Sequence, residues 1–238
     1  MSQITYFNDL GLRDYQEVWD QQEQLFMELI DIKRINFDMP QCEQTDEFQH
    51  LIFCEHPHVY TLGKSGDADN LLINQIELQA KNAQFVKTNR GGDITYHGPG
   101  QLVGYPIFNL EAMQMSVKEY IYGLEETIIR VIAQYGLKGK IVDGAIGVWL
   151  DATENLPERK ICAIGVKVSR GVSMHGFALN INTNLDYFKY INPCGFIDKS
   201  VTSLQKELRM EMNFDEVKLK VKEELKKTFQ LQFSEFLT

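Results

Sequence analysis

The stretch ICAIGVKVSRGVSMHGFALN, residues 161–180, does most to decide the fold class of this chain. Apolar residues at 161–168 and 173–182 predict two strands, and Arg170-Gly171 predicts the turn between them. A connection this short favours antiparallel neighbours. Another strand is expected at 145–150, after a turn at Gly144. Successive strands of this kind, with helices elsewhere in the chain, indicate an α+β protein.

Three helices are predicted around these strands. Helical spacing of apolar residues predicts the first over 13–35. The second begins with the capping box Ser116 to Glu119 and ends at Gly136. The third covers 214–229, with Asn213 as its cap and a lysine-rich face typical of solvent exposure. The apolar stripe of the second helix consists of Val117, Tyr120, Ile121, Leu124, Ile128, Val131, Ile132 and Tyr135.

The remaining strands are expected at 4–7, 50–54, 59–62, 85–88, 94–96 and 102–108. The fold prediction is therefore a mixed, largely antiparallel sheet flanked by helices. The chain shows no repeats, long linkers or low-complexity tracts. Residues 1–238 are expected to form a single domain.

Composition excludes several classes of protein. The chain has 238 residues, 44% of them apolar, and a formal net charge of −9. That charge argues against general nucleic-acid binding. No apolar run approaches the ~20 residues that cross a bilayer, and the N-terminus lacks the pattern of a signal peptide. Four cysteines without framework spacing fit free thiols. We expect a cytoplasmic protein with no membrane or nucleic-acid partner.

The densest local signal is the loop from Arg90 to Gly100, RGGDITYHGPG. Five of the seventeen glycines lie between 90 and 106, so the backbone there turns sharply or admits another group closely. Neither a P-loop nor a dinucleotide fingerprint matches, because the spacing and the strand-to-strand context differ. β-Turns explain the glycines as well as a binding loop does. Arg90 and His97 favour binding, since they offer a cation and a hydrogen-bonding ring to a pocket mouth.

Cys194, in Asn192-Pro193-Cys194-Gly195, is the candidate nucleophile. Pro193 restricts the backbone, and Gly195 permits the close approach of another molecule. Lys160 is the candidate partner, because an ammonium beside a thiol favours the reactive thiolate. A buried, packing cysteine remains the alternative.

Two further segments have both a chemical and a structural interpretation. Cys54, His56 and His58 share one face if the segment stays extended, as zinc ligands require. Pro57 and the lack of a fourth ligand favour a strand end that turns into a loop. His175 fits a structural histidine at least as well as a catalytic one.

Taken together, five segments in order resemble the lipoyl(octanoyl) transferase family. They are residues 55–63 (EHPHVYTLG), 90–101 (RGGDITYHGPGQ), 159–161 (RKI), 173–180 (SMHGFALN) and 192–195 (NPCG). The resemblance implies the fold of biotin protein ligases and lipoate-protein ligases. It also implies transfer of an octanoyl group from octanoyl-acyl carrier protein to a lysine of apo lipoyl domains. Those domains belong to 2-oxoacid dehydrogenase complexes and the glycine cleavage H protein.

Residue roles follow from the same resemblance. Cys194 matches the family's acyl-thioester nucleophile, and Lys160 matches the acid/base that lowers its pKa. No ATP, metal or other cofactor is implied. The segments that match the acyl-substrate pocket comprise Arg90, Gly91, Gly92, Asp93, Ile94, Thr95, Tyr96, His97, Ala163, Ile164, Gly165, Gly176, Phe177 and Ala178.

The same sequence is also compatible with other functions. An ATP-dependent lipoate- or biotin-protein ligase needs a lysine but no nucleophilic cysteine. A non-catalytic acyl-binding module would keep only the pocket, and a cysteine hydrolase would need water in the site. For a carrier-protein partner, we expect the basic residues Arg159, Lys160, Lys167 and Arg170 to form a docking edge.

Overall fold

A computed structural model describes residues 4–192 and 200–234. The strands are β1 (Ile4–Leu12), β2 (Gln49–Glu55), β3 (Val59–Leu62), β4 (Gln84–Lys87), β5 (Ile94–His97), β6 (Gln101–Ile107), β7 (Gly139–Ile141), β8 (Val148–Leu150), β9 (Arg159–Ser169), β10 (Val172–Asn180), β11 (Ser200–Val201) and β12 (Gln232–Phe233). The helices are α1 (Tyr15–Phe37), α2 (Gln75–Ala80), α3 (Val117–Ala133), α4 (Leu204–Leu208) and α5 (Phe214–Thr228).

Most strands belong to one mixed sheet, ordered β12-β1-β2-β6-β10-β9-β8-β7, with β11 beside β9. Neighbours from β2 to β7 in this order are antiparallel, whereas β1 runs parallel to β2 and β12, and β11 runs parallel to β9. A smaller sheet has the order β4-β3-β5. The prediction of an α+β fold with a largely antiparallel sheet is confirmed.

The β9–β10 hairpin forms as its sequence predicts. Arg170 and Gly171 have φ angles of 51° and 73°, the two positive values that a tight turn between right-twisted strands requires. The strands pair from Val172 with Ser169 to Leu179 with Cys162. The hairpin thus supplies the central part of the sheet.

The long helices begin and end at the signals in the sequence. Asp14 caps α1 through the amides of Gln16 and Glu17. Ser116 and Glu119 form the capping box of α3. Past its C-terminus, the Leu137 N–H bonds the Ile132 carbonyl and the Gly136 N–H bonds the Ala133 carbonyl. With φ at 80° for Gly136, this is a Schellman ending.

Helices cover both faces of the main sheet. In β2, Leu51 and Phe53 pack with α3 and α5, whereas Ile52 and Cys54 pack with α1. A strand buried on both faces is continuously apolar, which explains the run LIFC at 51–54. Among the described residues, none of the helices has both the length and the apolar content to span a membrane.

The small sheet has its own apolar cluster. Tyr60, Ile94 and Tyr96 pack there against the 3-10 helix Leu185–Tyr190. The Tyr187 ring lies nearly parallel to the rings of His58 and Tyr96, with centroids 4.0 and 5.0 Å away. This aromatic stack fixes the chain just before Asn192.

Some boundaries differ from the prediction. Residues 145–147 bend before β8 and are not its start, because Gly147 has a φ of 122°. Val117 is 44% exposed and does not belong to the buried stripe of α3. The elements α2, α4, β7, β11 and β12 were not predicted, since each has only two to six residues.

Candidate active site

The loop before β5 packs on the middle of β9. The Gly91 N–H donates to the Val166 carbonyl at 2.9 Å. A Cβ on Gly165 would lie 2.9 Å from the Gly91 carbonyl oxygen, closer than such atoms approach in proteins. The structure therefore brings two of the predicted substrate segments, 90–92 and 163–165, into contact through their glycines.

Arg90 orders this loop. Its guanidinium donates to the Thr61 carbonyl at 2.5 Å, to the Thr61 hydroxyl and to the Gly91 carbonyl. Arg90 is only 7% exposed. Arg90 therefore lies beneath the loop and joins it to β3, and it is not at an exposed pocket mouth.

His97 is part of the same buried network. Its Nδ1 lies 2.8 Å from the Gln101 side-chain oxygen, and its Nε2 lies 3.3 Å from the Thr61 hydroxyl. Burial, with the nearby charges of His56 and Arg90, lowers the pKa of His97 to about 3. The ring is thus neutral near pH 7 and links the loop to β6, instead of lying at the surface.

The second half of the predicted loop belongs to the small sheet and not to the contact with β9. Ile94 and Tyr96 belong to the apolar cluster of the small sheet, and Thr95 pairs with Thr61 in β3. Asp93 accepts hydrogen bonds from the Ile94 amide and the Asn70 side chain. These residues support the loop, whereas Arg90 to Gly92 contact β9.

The predicted pocket residues of β9 and β10 also fall into two groups, which lie on opposite faces of the sheet. Gly165 pairs with Gly176, and Ala163 with Ala178. Ile164 and Phe177 pack into the core under α3 and α5, while Ala178 packs toward α1. Strand alternation thus places only every second predicted pocket residue on the face that the Arg90–Gly92 loop covers.

His175 has a structural setting. It has a φ of 59° within β10, and its amide donates to the Gln22 side chain instead of a strand neighbour. Its Nε2 lies 2.7 Å from the Asn89 oxygen, and burial lowers its pKa to about 3. A neutral, enclosed ring holds Asn89, the residue before the loop.

Lys160 lies on β9 at a β-bulge. Val148 pairs with Cys162 and Trp149 with Lys160, so Ile161 is an extra residue in β9. Bulges redirect side chains. The Lys160 ammonium donates to the Ile146 carbonyl at 3.0 Å and lies 4.6 Å from the centre of the Trp149 ring.

Cys194 lies outside the described residues. The described residues on either side of it have fixed partners: the Asn192 N–H bonds the Asn70 carbonyl, and the Ser200 N–H bonds the Glu158 carbonyl. Val201 pairs with Lys160 in β9. The chain that leads away from Cys194 therefore returns to the strand that carries the candidate lysine.

Two of the basic residues expected to form a docking edge, Arg159 and Lys167, have partners within the chain. Arg159 forms a buried, bidentate ion pair with Glu207 of α4, at 2.6 and 2.7 Å. Lys167 lies over the Phe26 ring and 3.7 Å from Glu23. Arg159 therefore ties α4 to β9 and cannot contribute to a docking surface, which corrects the prediction for this residue.

The segment from Cys54 to His58 is a strand end, as its proline favours. His56 bonds the Tyr105 hydroxyl and the Arg13 carbonyl, whereas His58 bonds Tyr96. Within residues 4–192 and 200–234, no three His, Cys, Asp or Glu side chains converge as a metal site would require.

The architecture defines a class of proteins. It matches a structure from the structural analysis of an archaeal lipoylation system, a bipartite lipoate protein ligase and its E2 lipoyl domain from Thermoplasma acidophilum. The TM-score is 0.69 at 14% identity over 99% of this chain and 88% of that one. A biotin protein ligase from Aquifex aeolicus in complex with biotin and ATP matches with a TM-score of 0.52, at 12% identity over 95% and 70%. The fold is that of the lipoate and biotin ligase catalytic domains.

Sequence comparison narrows the class to a family. The model of the lipoyl protein ligase A/B catalytic domain matches residues 14–226, and the chain belongs to that family. An octanoyltransferase of Christiangramia forsetii is 49% identical over 98% of both chains. The octanoyltransferase of Cytophaga hutchinsonii is 52% identical over 88% of this chain and 86% of its own length.

Proposed function

We propose that this chain is an acyltransferase that moves an octanoyl group from octanoyl-acyl carrier protein to a specific lysine of apo lipoyl domains. Relatives about half identical over nearly the whole chain have the name octanoyltransferase. The acceptors are expected to be lipoyl domains of 2-oxoacid dehydrogenase complexes and the glycine cleavage H protein. Residues 1–238 act as one catalytic domain, since the family match covers most of them.

The observation that carries the proposal is the position of Lys160. It lies at a bulge of β9, opposite Val201 of the chain that follows Cys194. Cys194 is only two residues from Asn192, so their Cα atoms are at most ~7 Å apart. Asn192 is bonded to Asn70, which also binds Asp93 at the end of the Arg90 loop. Lys160 thus neighbours the chain after Cys194, and the Arg90 loop is linked through Asn70 to the chain before it.

In the first step, the Cys194 thiolate attacks the carbonyl carbon of the incoming octanoyl thioester. A free cysteine has a pKa of about 8.5, and the Lys160 ammonium favours its thiolate. The tetrahedral intermediate expels the carrier's thiolate, which takes a proton from Lys160. One thioester replaces another, so the step needs no ATP.

In the second step, the neutral amine of the acceptor lysine attacks the Cys194 thioester. Lys160, now neutral, accepts the proton that the amine loses as the amide bond forms. The Cys194 thiolate leaves, and the Cys194–Lys160 pair returns to its starting state. An amide is more stable than a thioester, so the overall transfer is favourable without a cofactor.

The acyl chain is expected to lie against the glycine-lined face of the hairpin. Gly91 and Gly165 meet there without side chains, with Ala163 on the same face of β9, whereas Gly176 packs against the Gly104 carbonyl of β6. Side chains at these glycines would fill the space or collide with neighbouring backbone. Ile164 and Phe177 support the face from the opposite side.

The test is a transfer assay with octanoyl-carrier protein and an apo lipoyl domain, with and without ATP. We expect octanoyl-lysine to form without ATP. Cys194→Ser and Lys160→Met should each lower the rate by at least about 100-fold, as removal of a nucleophile or an acid/base does. Transfer that requires ATP and free octanoate would support a ligase instead.

Cys42→Ser is the matched control, because Cys42 is an exposed free thiol. It should transfer at the wild-type rate. Wild-type rates in Cys194→Ser would contradict the thioester mechanism. Loss of transfer in Cys42→Ser would move the nucleophile to a different thiol.

A further inference from the structure

A row of buried polar side chains runs from the Arg90 loop to the residue after β11. None of its members is more than 7% exposed, and each is hydrogen-bonded to the next. We call the row the Arg90–Thr202 network, and its members in order are Arg90, Thr61, His97, Gln101, Asn180 and Thr202. A buried polar network whose groups are paired holds the elements that carry it in one arrangement.

Backbone carbonyls fix the orientation of the two side-chain amides in the network. Gln101 donates from Nε2 to the Tyr96 carbonyl at 3.1 Å, and Asn180 donates from Nδ2 to the Thr202 carbonyl at 2.9 Å. A carbonyl oxygen accepts hydrogen bonds and cannot donate them, so the nitrogen of each amide must face it. The Asn180 oxygen then accepts from Gln101 Nε2 at 2.9 Å, which leaves the Gln101 oxygen facing His97.

These orientations determine which nitrogen of His97 carries the hydrogen. Nδ1 lies 2.8 Å from the Gln101 oxygen, which accepts and does not donate, so the hydrogen is on Nδ1. The ring is neutral near pH 7, because burial lowers the pKa of His97 to about 3. Nε2 therefore has no hydrogen and accepts from the Thr61 hydroxyl. The Thr61 oxygen in turn accepts from Nε and Nη2 of Arg90.

Every hydrogen bond of the network therefore has the same direction, from the Arg90 guanidinium to the Thr202 carbonyl. A guanidinium has donors and no acceptor, and a carbonyl has acceptors and no donor, so neither end can be reversed. Rotation of the Gln101 amide would set its oxygen against the Tyr96 carbonyl, and rotation of the Asn180 amide would do the same at Thr202. The network thus has one arrangement.

Both ends of the network are next to residues of the candidate active site. At one end, Arg90 precedes Gly91, whose N–H donates to the Val166 carbonyl of β9. At the other end, the Thr202 N–H donates to the Lys160 carbonyl at 2.9 Å. The network therefore joins the loop that covers β9 to the backbone of the candidate lysine.

We infer that Gln101 is a positioning residue, which joins the Arg90 loop to the backbone of Lys160 and holds His97 with its hydrogen on Nδ1. This inference rests on the proposed function, in which the loop and Lys160 act on the same acyl group. Gln101 lies at the centre of the network, where its oxygen binds the His97 ring and its nitrogen orients Asn180. Loss of its amide separates the two ends.

The first test reads the imidazole nitrogens at pH 7 by long-range ¹H–¹⁵N NMR of protein with labelled histidine, with His97→Gln and His175→Gln to assign the signals. We expect His97 to carry its hydrogen on Nδ1. His175 is the internal control, because its Nε2 faces the Asn89 oxygen while the Asn89 nitrogen donates to the Glu23 carboxylate. His175 should therefore show the opposite tautomer. A hydrogen on Nε2 of His97 would overturn the inference.

The second test breaks the network at its centre with Gln101→Met, which keeps the length of the side chain and removes its hydrogen bonds. Amide hydrogen exchange is measured at Gly91 and at Thr202, one at each end. Both amides should exchange at least about tenfold faster, because local opening becomes easier when the network between them is broken.

Thr127→Val is the matched control for this measurement. It removes a buried hydroxyl of α3 that donates to the Gly123 carbonyl and contacts Thr228, and α3 carries no member of the network. It should leave the exchange of Gly91 and Thr202 within about twofold of the wild type. Equal acceleration in both variants would reflect a general loss of stability and would contradict the role of Gln101.

The kcat of octanoyl transfer shows whether the network positions groups for the reaction. At equal folded fraction, Gln101→Met should lower kcat at least about tenfold, since small displacements of reacting groups reduce rates strongly, whereas Thr127→Val should retain the wild-type kcat. An unchanged kcat in Gln101→Met would rule out a positioning role. If the wild type transfers no octanoyl group, the proposed function is wrong, and the tautomer and exchange results still decide whether Gln101 joins the loop to Lys160.

Discussion

The two faces of the main sheet bury different kinds of side chain. Under α3 and α5, the face is lined mainly by aliphatic and aromatic residues such as Leu124, Ile128 and Phe177. Under α1, an apolar cluster adjoins buried Arg90, His97 and His175, which form polar contacts with the loop and the hairpin. Both faces contribute to stability, and the second also orders a loop over β9. Substitutions should therefore separate folding from transfer.

The largest loss of stability is expected from Leu124→Ala on the apolar face. Leu124 is fully buried between α3 and the sheet, and truncation of such a leucine costs about 3 kcal/mol. Urea unfolding measures this change. Octanoyl transfer by the folded fraction should stay within about twofold of the wild type, and a much larger loss would show that the apolar face also shapes the site.

Arg90→Met should affect both stability and transfer. It removes charge-assisted hydrogen bonds to Thr61 and Gly91, at a cost of about 2 kcal/mol, and releases the loop from β3. We expect transfer to fall at least about tenfold, because the loop covers the Gly165 face. Arg130→Met, which breaks a surface ion pair, is the control and should change neither quantity measurably.

His97 makes the polar face sensitive to acid. The pKa of His97 is lowered to about 3 in the folded chain, against about 6.5 when unfolded. The unfolded state therefore binds a proton first, and stability falls as the pH drops below about 6.5. Between pH 7 and pH 5, one such histidine accounts for about 1–2 kcal/mol.

His97→Gln should remove that part of the pH dependence. Urea unfolding at pH 7 and pH 5 measures the slope. His58→Gln is the comparison: burial also lowers the pKa of His58, but His58 is partly exposed, so this variant should reduce the slope by less. An unchanged slope in His97→Gln would mean that other groups, such as His56 or His175, account for the acid sensitivity.

The smallest effect is expected on the solvent side of α5. Lys220 forms an i,i+4 ion pair with Glu216, and Lys220→Ala should cost less than about 0.5 kcal/mol with no effect on transfer. Thermal unfolding and the transfer assay check this. A loss of transfer would place a partner surface on this helix.

Local signals made much of the fold predictable. The capping box at Ser116, the Schellman glycine Gly136 and the Arg170-Gly171 turn each depend on a few adjacent residues, and each formed as expected. The strands β11 and β12 could not be predicted in this way. Each has two residues and pairs with a strand distant in sequence, so its register depends on tertiary packing.

The candidate site, like the fold, could be predicted from the sequence only in part. Glycine content identified the loop that meets β9, but not that Ile94 and Tyr96 turn toward the small sheet. The buried Glu125 of α3, which accepts a hydrogen bond from the Gly147 amide beside the Ile146 carbonyl that Lys160 binds, was missed although its signal is visible. It lies four residues after Ile121 and three before Ile128, a position at which the helical spacing of the α3 stripe predicts an apolar residue. A carboxyl group at such a position indicates a buried partner.

The most direct test of the account is the intact mass of the protein after mixing with octanoyl-carrier protein alone, without ATP. We predict one added octanoyl group that maps to Cys194 and disappears when an apo lipoyl domain is added, with octanoyl-lysine formed at the same rate. An adduct on another residue, or one that the lipoyl domain does not discharge, would contradict the account.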